Sequence, residues 1–576
     1  MEHSRHLSFF TFALNYHFSK LDPFGYHVFN FGVHLMTVCF IWWLTLLLFR
    51  TPRLRRSAVP VSAEAELIAF FAALLFLVHP GNTQAITYIS QRFESMTAMF
   101  YVAAVCFYLK WRLSDRHFYF VPSFLTAIAA MLCKETAFTL PFCILLIEMI
   151  FFERSFKKSF SWQMVLPWIA ILFIIPVLIP DQVHLTVFGP RLSASHDNEM
   201  ISFVEYQLTQ LRVLARFFSL IFLPINQNFD YDFPKSTSLF SPWTTLTSFC
   251  FLLFLWAASF RLKKNHILLA FGIWWFFLTA SINLVPRSFL IFEHKFYLMA
   301  IGMMIAIPVF VFSILKNRKY AVFCLSALVL VFSILTFLRN KVWENELTLW
   351  SDVIKKSPNK YTANQNLGCA LFKAGDLSKA LEYFNRALAS RPGFMAFNNR
   401  AAVYFELGRE KEALSDIQSA IERHPGYPHP YNLLGKIYEK NGQYDKAIAS
   451  FDHAIELGPH ELEPRLSRGA LLSAMGHVDQ GFEDFQEAVR TWPSSGKALY
   501  NCGVTYFAKG NFSKALEYFD KAIKIEPNWP LTYLKRGELY RRQGLKDFAR
   551  RDFQKALDLD PSNQAARDSI KNLGAQ

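Results

Sequence analysis

Between residues 28 and 338 the chain is a succession of apolar runs separated by short polar stretches. Beyond about residue 341 the long runs cease. Runs of a length suited to a hydrocarbon core of about 30 Å fall near 28–49, 64–79, 94–110, 117–133, 136–152, 162–180, 243–260, 266–285, 295–315 and 319–338. They predict about ten spanning helices; the shorter ones must borrow from their flanks or tilt little. The stretch 205–223 carries Glu205, Arg212 and Arg216 among its apolar residues. It is expected to be an amphipathic helix lying in the interface, outside the count of spans.

From residue 361 the pattern becomes a self-similarity of 34 residues with one 33-residue step. A small residue recurs at Gly368, Ala401, Gly435, Gly469, Gly503 and Gly537, and a turn glycine at Gly375, Gly408, Gly442, Gly476, Gly510 and Gly544. An alanine follows at Ala387, Ala420, Ala454, Ala488, Ala522 and Ala556, and a closing proline at Pro392, Pro425, Pro459, Pro493, Pro527 and Pro561. A large apolar knob stands at Phe384, Ile417, Phe451, Phe485, Phe519 and Phe553. Small residues let two helices approach, glycines end the first helix, and prolines break the chain between units. This is the signature of tetratricopeptide (TPR) repeats, whose helical hairpins bury their apolar faces by stacking. The expected class is all-α: residues 1–340 a polytopic membrane domain, 341–360 an entry helix, 361–561 six TPR repeats forming a right-handed solenoid, and 562–576 a capping helix.

The formal net charge of +15 first suggests an acidic partner such as nucleic acid, but its distribution excludes that class. The excess sits in Arg50/Arg53/Arg55/Arg56, Lys110/Arg112/Arg116, Arg154/Lys157/Lys158, Arg261/Lys263/Lys264 and Lys316/Arg318/Lys319, between apolar runs. Basic loops mark the cytoplasmic side, and with ten spans one alternation puts all five inside. The N-terminus and the repeats then lie outside, as do the loops 80–93, 134–135, 181–242 and 286–294. The N-terminus lacks the basic start, apolar core and cleavage site of a signal peptide. The eight cysteines show neither CxxC nor metal-ligand spacing, so neither a disulfide framework nor a metal centre is expected. The absence of a disulfide framework or retention tail points to a bacterial inner membrane with periplasmic repeats; the alternative is an endoplasmic-reticulum membrane with luminal repeats.

The outward loops gather ionisable residues, which at a membrane face are functional candidates. They are Arg92 and Glu94, Lys134 and Glu135, Asp230 and Asp232, and Glu293, His294 and Lys295. The carboxylates suit a general base or a divalent cation, and the cations suit a lipid-linked phosphate. The structural alternative is salt bridging between helices, for instance Glu135 with Arg92. In the repeats, Asn366, Asn399 and Asn501 share one position of the first helix, with Leu433, Ser467 and Lys535 in the others. A carboxamide offers donor and acceptor together and can pair with the backbone of an extended protein segment. This resembles the interrupted form of an asparagine ladder; the alternative is a solvated helix face.

Several segments carry a wider resemblance: Phe12-Ala-Leu-Asn-Tyr16, Asp22-Pro-Phe-Gly-Tyr-His27 with Asn30, His79-Pro80, Ile89-Ser-Gln-Arg-Phe-Glu94, Lys134-Glu135-Thr136, Asp230-Tyr-Asp-Phe-Pro234 and Glu293-His-Lys-Phe-Tyr297. In order and kind they resemble the transmembrane-and-TPR O-mannosyltransferases and their bacterial relatives. The resemblance implies a C-type glycosyltransferase membrane fold, a polyprenyl-phosphate mannose donor, and a Ser or Thr acceptor on an outward protein. It implies Glu94, Glu135 and Glu293 as candidate catalytic acids, with Arg92, Lys134, His294, Lys295, Asp230 and Asp232 around the substrate. In that family the usual base sits in a loop after a first span, and Met1-Glu-His-Ser-Arg5 resembles the end of that loop. The first span and its acidic motif are missing from this sequence, so either the start codon is misplaced or the chain is a remnant of that fold. The competing reading is a non-catalytic membrane scaffold whose repeats recruit proteins for envelope assembly or secretion.

Overall fold

The computed structural model describes residues 5–20, 22–56, 64–114, 116–152, 162–172, 192–193, 200–286 and 290–574. The basic loop 153–161 and the second half of the run at 162–180 lie outside them, as do most of 173–199 and Met1–Ser4. Apart from a two-residue antiparallel pair, Leu192–Ser193 with Met200–Ile201, the described elements are helical. The chain divides into two compact units, Met1–Leu367 and Gly368–Gln576, with the division inside the helix Tyr361–Lys373.

The first unit corrects the expectation of about ten spans. Among the described residues, five helices are long and apolar enough to cross a membrane: Pro23–Phe49, Thr244–Asn265, Ile267–Leu284, Glu293–Ile314 and Arg318–Val342. A sixth arises if Ala65–Val78 and Pro80–Thr87, bent by 52° at His79, count as one broken span. The other runs fail for different physical reasons. Phe120–Met131 and Leu140–Phe151 have 12 residues each, roughly 18 Å of helix against a 30 Å core. Arg92–Ser114 is long enough, but it begins with Arg92 and Glu94 and ends with Lys110 and Arg112. The ten-span alternation therefore no longer fixes which side each loop occupies. A chain with this set of helices is a multi-pass membrane protein.

Local chemistry starts and seats these helices. Asp22 caps Pro23–Phe49, accepting from Phe24 N at 3.0 Å, with Pro23 in the first turn. Phe296–Ile314 is the central helix, buried along nearly its whole length. It meets Ile267–Ala280 where Gly272 faces Gly302; a Cβ on Gly302 would stand 2.5 Å from Trp275. That close approach lets the buried Trp275 indole donate to Leu298 O at 2.8 Å. Thr244–Asn265 and Arg318–Val342 leave most of their apolar side chains uncovered, Phe254 and Phe323 among them, as lipid-facing helices do. Phe203–Phe222, started by a Ser202/Glu205 capping box, has 20 residues but does not qualify as a span. Its arginines hold the segment that follows it. Arg212 donates to Pro234 O at 2.7 Å, and Arg216 to Ile225 O and Asn226 O at 2.9 Å.

The second unit follows the sequence period element by element. The helix pairs are completed by Leu377–Ser390, then Phe394–Glu406 with Glu410–Arg423, Pro428–Lys440 with Tyr444–Leu457, Leu462–Ala474 with Val478–Thr491, Gly496–Ala508 with Phe512–Ile525, and Pro530–Arg542 with Lys546–Leu559. Gln564–Gly574 closes the array. The turn glycines all take positive φ, between 71° and 90°. The small residue of each first helix and the knob of the second are one device. A Cβ on Gly435 would stand 2.5 Å from the Phe451 ring, and the other Gly–Phe pairs are equally close. Where the small residue is Ala401, the knob shrinks to Ile417.

Every second repeat adds a charged staple. Arg468 donates Nε and Nη2 to Asp484 at 2.8 and 2.6 Å, and Nη1 to Asp452 of the preceding repeat at 2.5 Å. Arg400 repeats this with Asp416 and Asn385, and Arg536 with Asp552 and Asp520. The bidentate bond to Asp484 holds the Arg468 guanidinium above its ordinary range.

The Gly–Phe device predicts a specific non-additivity. Gly435→Ala should destabilise the repeats by about 1–3 kcal/mol through overpacking, and Phe451→Ile on that background should restore much of the loss by recreating the Ala401/Ile417 pair. Urea unfolding of the solubilised chain checks it; equal penalties that simply add would show that the ring is not the obstacle.

Candidate functional site

Except for Asp230 and Asp232, the charged segments singled out in the sequence lie on or beside short 3-10 turns, among them Ile89–Gln91, Glu135–Thr139 and Glu293–Lys295; Pro80–Asn82 and Ser281–Leu284 are two further such turns. The turn at Glu135–Thr139 packs on Ser281–Leu284, and Pro80–Thr87 packs on Glu293–Lys295. His294 N donates to Gln84 Oε1 at 2.7 Å, tying two of these turns together. The chemistry-bearing residues form two charged networks within the first unit.

The first network surrounds the start of Arg92–Ser114. Lys134 Nζ lies 2.7 Å from Glu94 Oε2, and both side chains are buried. Lys134 is extended between Phe120–Met131 and the turn at Glu135, which drives its side chain inward. Arg92 is fully buried yet meets neutral groups. Its Nε donates to Asn30 Oδ1 at 2.7 Å, Nη1 to Thr11 Oγ1 at 3.3 Å and Nη2 to Tyr26 O at 3.2 Å. Its guanidinium lies 4.3 Å from the ring centres of both Phe12 and Phe29. The pairing of Arg92 with Glu135 does not form. Glu135 instead stands 3.6 Å from Arg5, and this pair is partly exposed, with 27% and 21% of the respective side chains accessible. Arg5 in turn lies 4.9 Å over Phe93, the neighbour of Glu94.

The second network centres on Glu293, which is buried. Its Oε1 accepts from Asn228 N at 2.7 Å and from the Tyr231 hydroxyl at 2.6 Å; its Oε2 is 3.5 Å from Arg339. Burial and the Glu293 charge push the Tyr231 hydroxyl above the usual phenol range, so it remains a donor. Arg339 also binds Asp352 at 3.0 Å, and Lys356 binds Asp352 at 2.6 Å and Gln227 O at 2.6 Å. Ser357 Oγ accepts from Asn228 Nδ2 at 2.9 Å and from Asp232 N at 3.1 Å. Asp230 accepts from Thr362 and stands 3.9 Å from Lys360. His294 and Lys295 are buried in the same turn as Glu293.

The three candidate acids are thus separated by environment. Glu94 and Glu293 are buried and engaged, whereas Glu135 reaches the surface. Asp230 accepts from Thr362, and the Asp232 backbone N–H donates to Ser357 Oγ, so both meet the segment 357–362. In the repeats Asn366, Asn399 and Asn501 are each half-buried, and Asn399 Nδ2 lies 3.2 Å from Cys369 Sγ. Among the described residues no group of three or more His, Cys, Asp or Glu side chains is gathered as a metal ion would require. Sequence reading missed Arg5, Asn30, Tyr231, Arg339 and Asp352. Arg5, Asn30 and Tyr231 lay inside singled-out segments, but Arg339 and Asp352 read only as the end of a span and the face of a soluble helix.

Tetratricopeptide repeat models match residues 366–428, 430–461, 496–528 and 531–563. Over 458 residues the chain is 27% identical to the protein O-mannosyl-transferase TMTC3 of Homo sapiens, a match covering 71% of this chain and 47% of that protein. The Mus musculus protein of the same name is 28% identical over 452 residues, with the same coverages, 71% and 47%. A solved tetratricopeptide repeat protein from Parabacteroides merdae superposes with a TM-score of 0.33 at 22% identity, covering 40% of this chain and 92% of that one. The chain spans about half the length of the curated relatives it matches. The resemblance carried by the motifs is borne out at this level: over about seven-tenths of its length the chain is similar to the protein O-mannosyl-transferases that join a membrane part to TPR repeats.

Proposed function

We propose that the chain transfers mannose from a polyprenyl-phosphate donor to Ser or Thr hydroxyls of proteins on the outer, luminal or periplasmic, side of its membrane, through a C-type glycosyltransferase membrane fold, and that the TPR groove holds the acceptor. The single observation that carries this reading is the half-exposed Glu135 beside the buried Lys134–Glu94 pair, in a chain similar to named O-mannosyl-transferases. The basic cluster Lys316/Arg318/Lys319 at the start of the last span, Arg318–Val342, supports an outward exit of the chain toward the repeats.

In this reading Glu135 is the base, because of the three candidate acids it alone combines charge with access. The acceptor oxygen attacks C1 of the sugar and loses its proton to the Glu135 carboxylate. The C1–O bond to phosphate breaks, and polyprenyl phosphate departs with the electron pair. Lys134 supplies positive potential from beneath, held in place by Glu94. Glu293 shapes the fold around its turn, and Arg92 stiffens the packing of His6–Ser19 and Pro23–Phe49 against Arg92–Ser114. A second reading, the non-catalytic scaffold, draws on the same engagement of Glu94 and Glu293.

Membranes carrying the chain, supplied with polyprenyl-phosphate mannose and a Ser/Thr-rich peptide, test the choice. Glu135→Gln should lower transfer by about 10²–10⁴-fold without changing the amount of folded protein. No transfer from any lipid-linked donor would leave the scaffold. Glu293→Gln should behave differently, costing about 3 kcal/mol of stability as the buried guanidinium of Arg339 loses a partner, seen as a lowered unfolding temperature in detergent. If acceptor capture uses the asparagine column, replacing Asn366, Asn399 and Asn501 together with Ala should raise KM for the peptide several-fold and leave kcat unchanged. Unaltered peptide binding would remove the column from the reading.

A further inference from the structure

The geometry points to Arg5 as the side chain that grips the phosphate of the lipid-linked donor, an assignment that rests on the transfer reading above. Of the cations in the two networks whose bonds are described, the others are spent. Arg92 is bonded on its edges and covered on both faces. Lys134 is closed onto Glu94, Arg339 onto Glu293 and Asp352, and Lys356 onto Asp352 and Gln227 O. Arg5 differs in three respects.

Its Nε–H is buried without an acceptor, and an unmet donor of that kind costs about 1–3 kcal/mol. Its Nη2 stands 3.6 Å from Glu135, within ion-pair range but longer than the 2.7–2.9 Å, roughly, of a charge-assisted hydrogen bond. Its guanidinium lies 4.9 Å over the Phe93 ring, which steadies its plane. A phosphate can present two oxygens side-on to the Nε/Nη edge of an arginine. A phosphate there satisfies the orphan donor and sits beside Glu135, placing the C1–O bond to be broken next to the base. The partial exposure of Arg5 and Glu135 gives the ligand a way in, while the apolar His6–Ser19 helix, with Phe9, Phe10 and Phe18 uncovered, offers a surface along which a polyprenyl chain can lie.

The relevant chemistry is a phosphate anion, and two sources can supply it: a lipid-linked phosphate and free inorganic phosphate. The full chain in phosphatidylcholine nanodiscs, titrated with fluorescent polyprenyl phosphate, separates them. Wild type should bind, and inorganic phosphate should displace the lipid only at concentrations at least a hundredfold above it. Displacement at equal concentrations would overturn the lipid assignment. Arg5→Gln should weaken binding about tenfold or more, corresponding to the loss of one charge-assisted contact. Arg5→Lys should recover only part of it, because it restores charge without the Nε/Nη edge. Glu135→Gln should abolish transfer yet retain or tighten binding, since it removes the carboxylate that competes with the phosphate.

The outcomes distinguish the two ideas. If Arg5→Gln binds polyprenyl phosphate as wild type does while Glu135→Gln still loses transfer, the Arg5 assignment is wrong and the transfer reading stands. If binding depends on Arg5 but no sugar is ever transferred, Arg5 holds the phosphate and the transfer reading falls.

Discussion

Burying the carboxylate of Glu293 takes four stretches of chain. An ionised carboxylate removed from water carries an effective penalty of several kcal/mol, which only several well-placed donors offset. Here the donors are the Asn228 N–H and Tyr231 hydroxyl from the 226–234 segment and the Arg339 guanidinium from the last span. Arg339 is in turn shared with Asp352 of the entry helix, and Lys356 of that helix returns to Gln227 O. The helix Phe203–Phe222 delivers the 226–234 segment, because Arg212 and Arg216 bind its carbonyls. Removing Glu293 or Arg339 leaves the other's buried charge short of a bond, so the network ties these segments together. The turn Glu293–Lys295 is a product of that constraint as much as of its own sequence.

The same electrostatic rule sorts the other charges of the membrane unit. At the far end of Arg92–Ser114, Glu148 accepts from Arg112 at 2.6 Å and from Tyr108 at 2.8 Å. At the near end, Glu94 closes on Lys134. Arg92 is buried with neutral acceptors and aromatic faces, which the weak hydration of a guanidinium makes tolerable. Against this background Arg5 and Glu135 stand out by geometry rather than by identity. They are close enough to sense one another, too far for a strong hydrogen bond, and open to solvent.

The repeats were legible from sequence because each carries its own determinants: a small residue against a ring, a glycine at positive φ and a proline at the exit all lie within 34 residues. The span count was not. A run such as 117–133 has the composition of a membrane helix, but its helical part, His117–Met131, stops where the chain turns and brings Lys134 onto Glu94. Composition reports affinity for an apolar setting, and a helix too short to span satisfies it as well as one that spans. The site was half legible for the same reason. Ionisable residues near the ends of apolar runs could be found, whereas their partners could not. Tyr231 reaches Glu293 across 62 residues and Arg339 across 46, and no local pattern encodes such pairings. Arg5 closed a segment that the resemblance had singled out, but its own place in the site showed only once Phe93 and Glu135 stood beside it.

The staple in alternate repeats bears on what the array can recognise. The position following the groove asparagine is Arg400, Arg468 or Arg536 in the even repeats and Leu367, Leu434 or Cys502 in the odd ones. Each arginine is bound bidentately by an aspartate and shared with the preceding repeat. Its charge is thereby largely neutralised locally, and its donors are committed to holding repeats together. What remains beside it is a carboxamide at Asn399, a hydroxyl at Ser467 and an ammonium at Lys535, the last already 2.9 Å from Glu538. Such a lining offers hydrogen bonds with little net field, which suits an extended backbone more than a charged side-chain code.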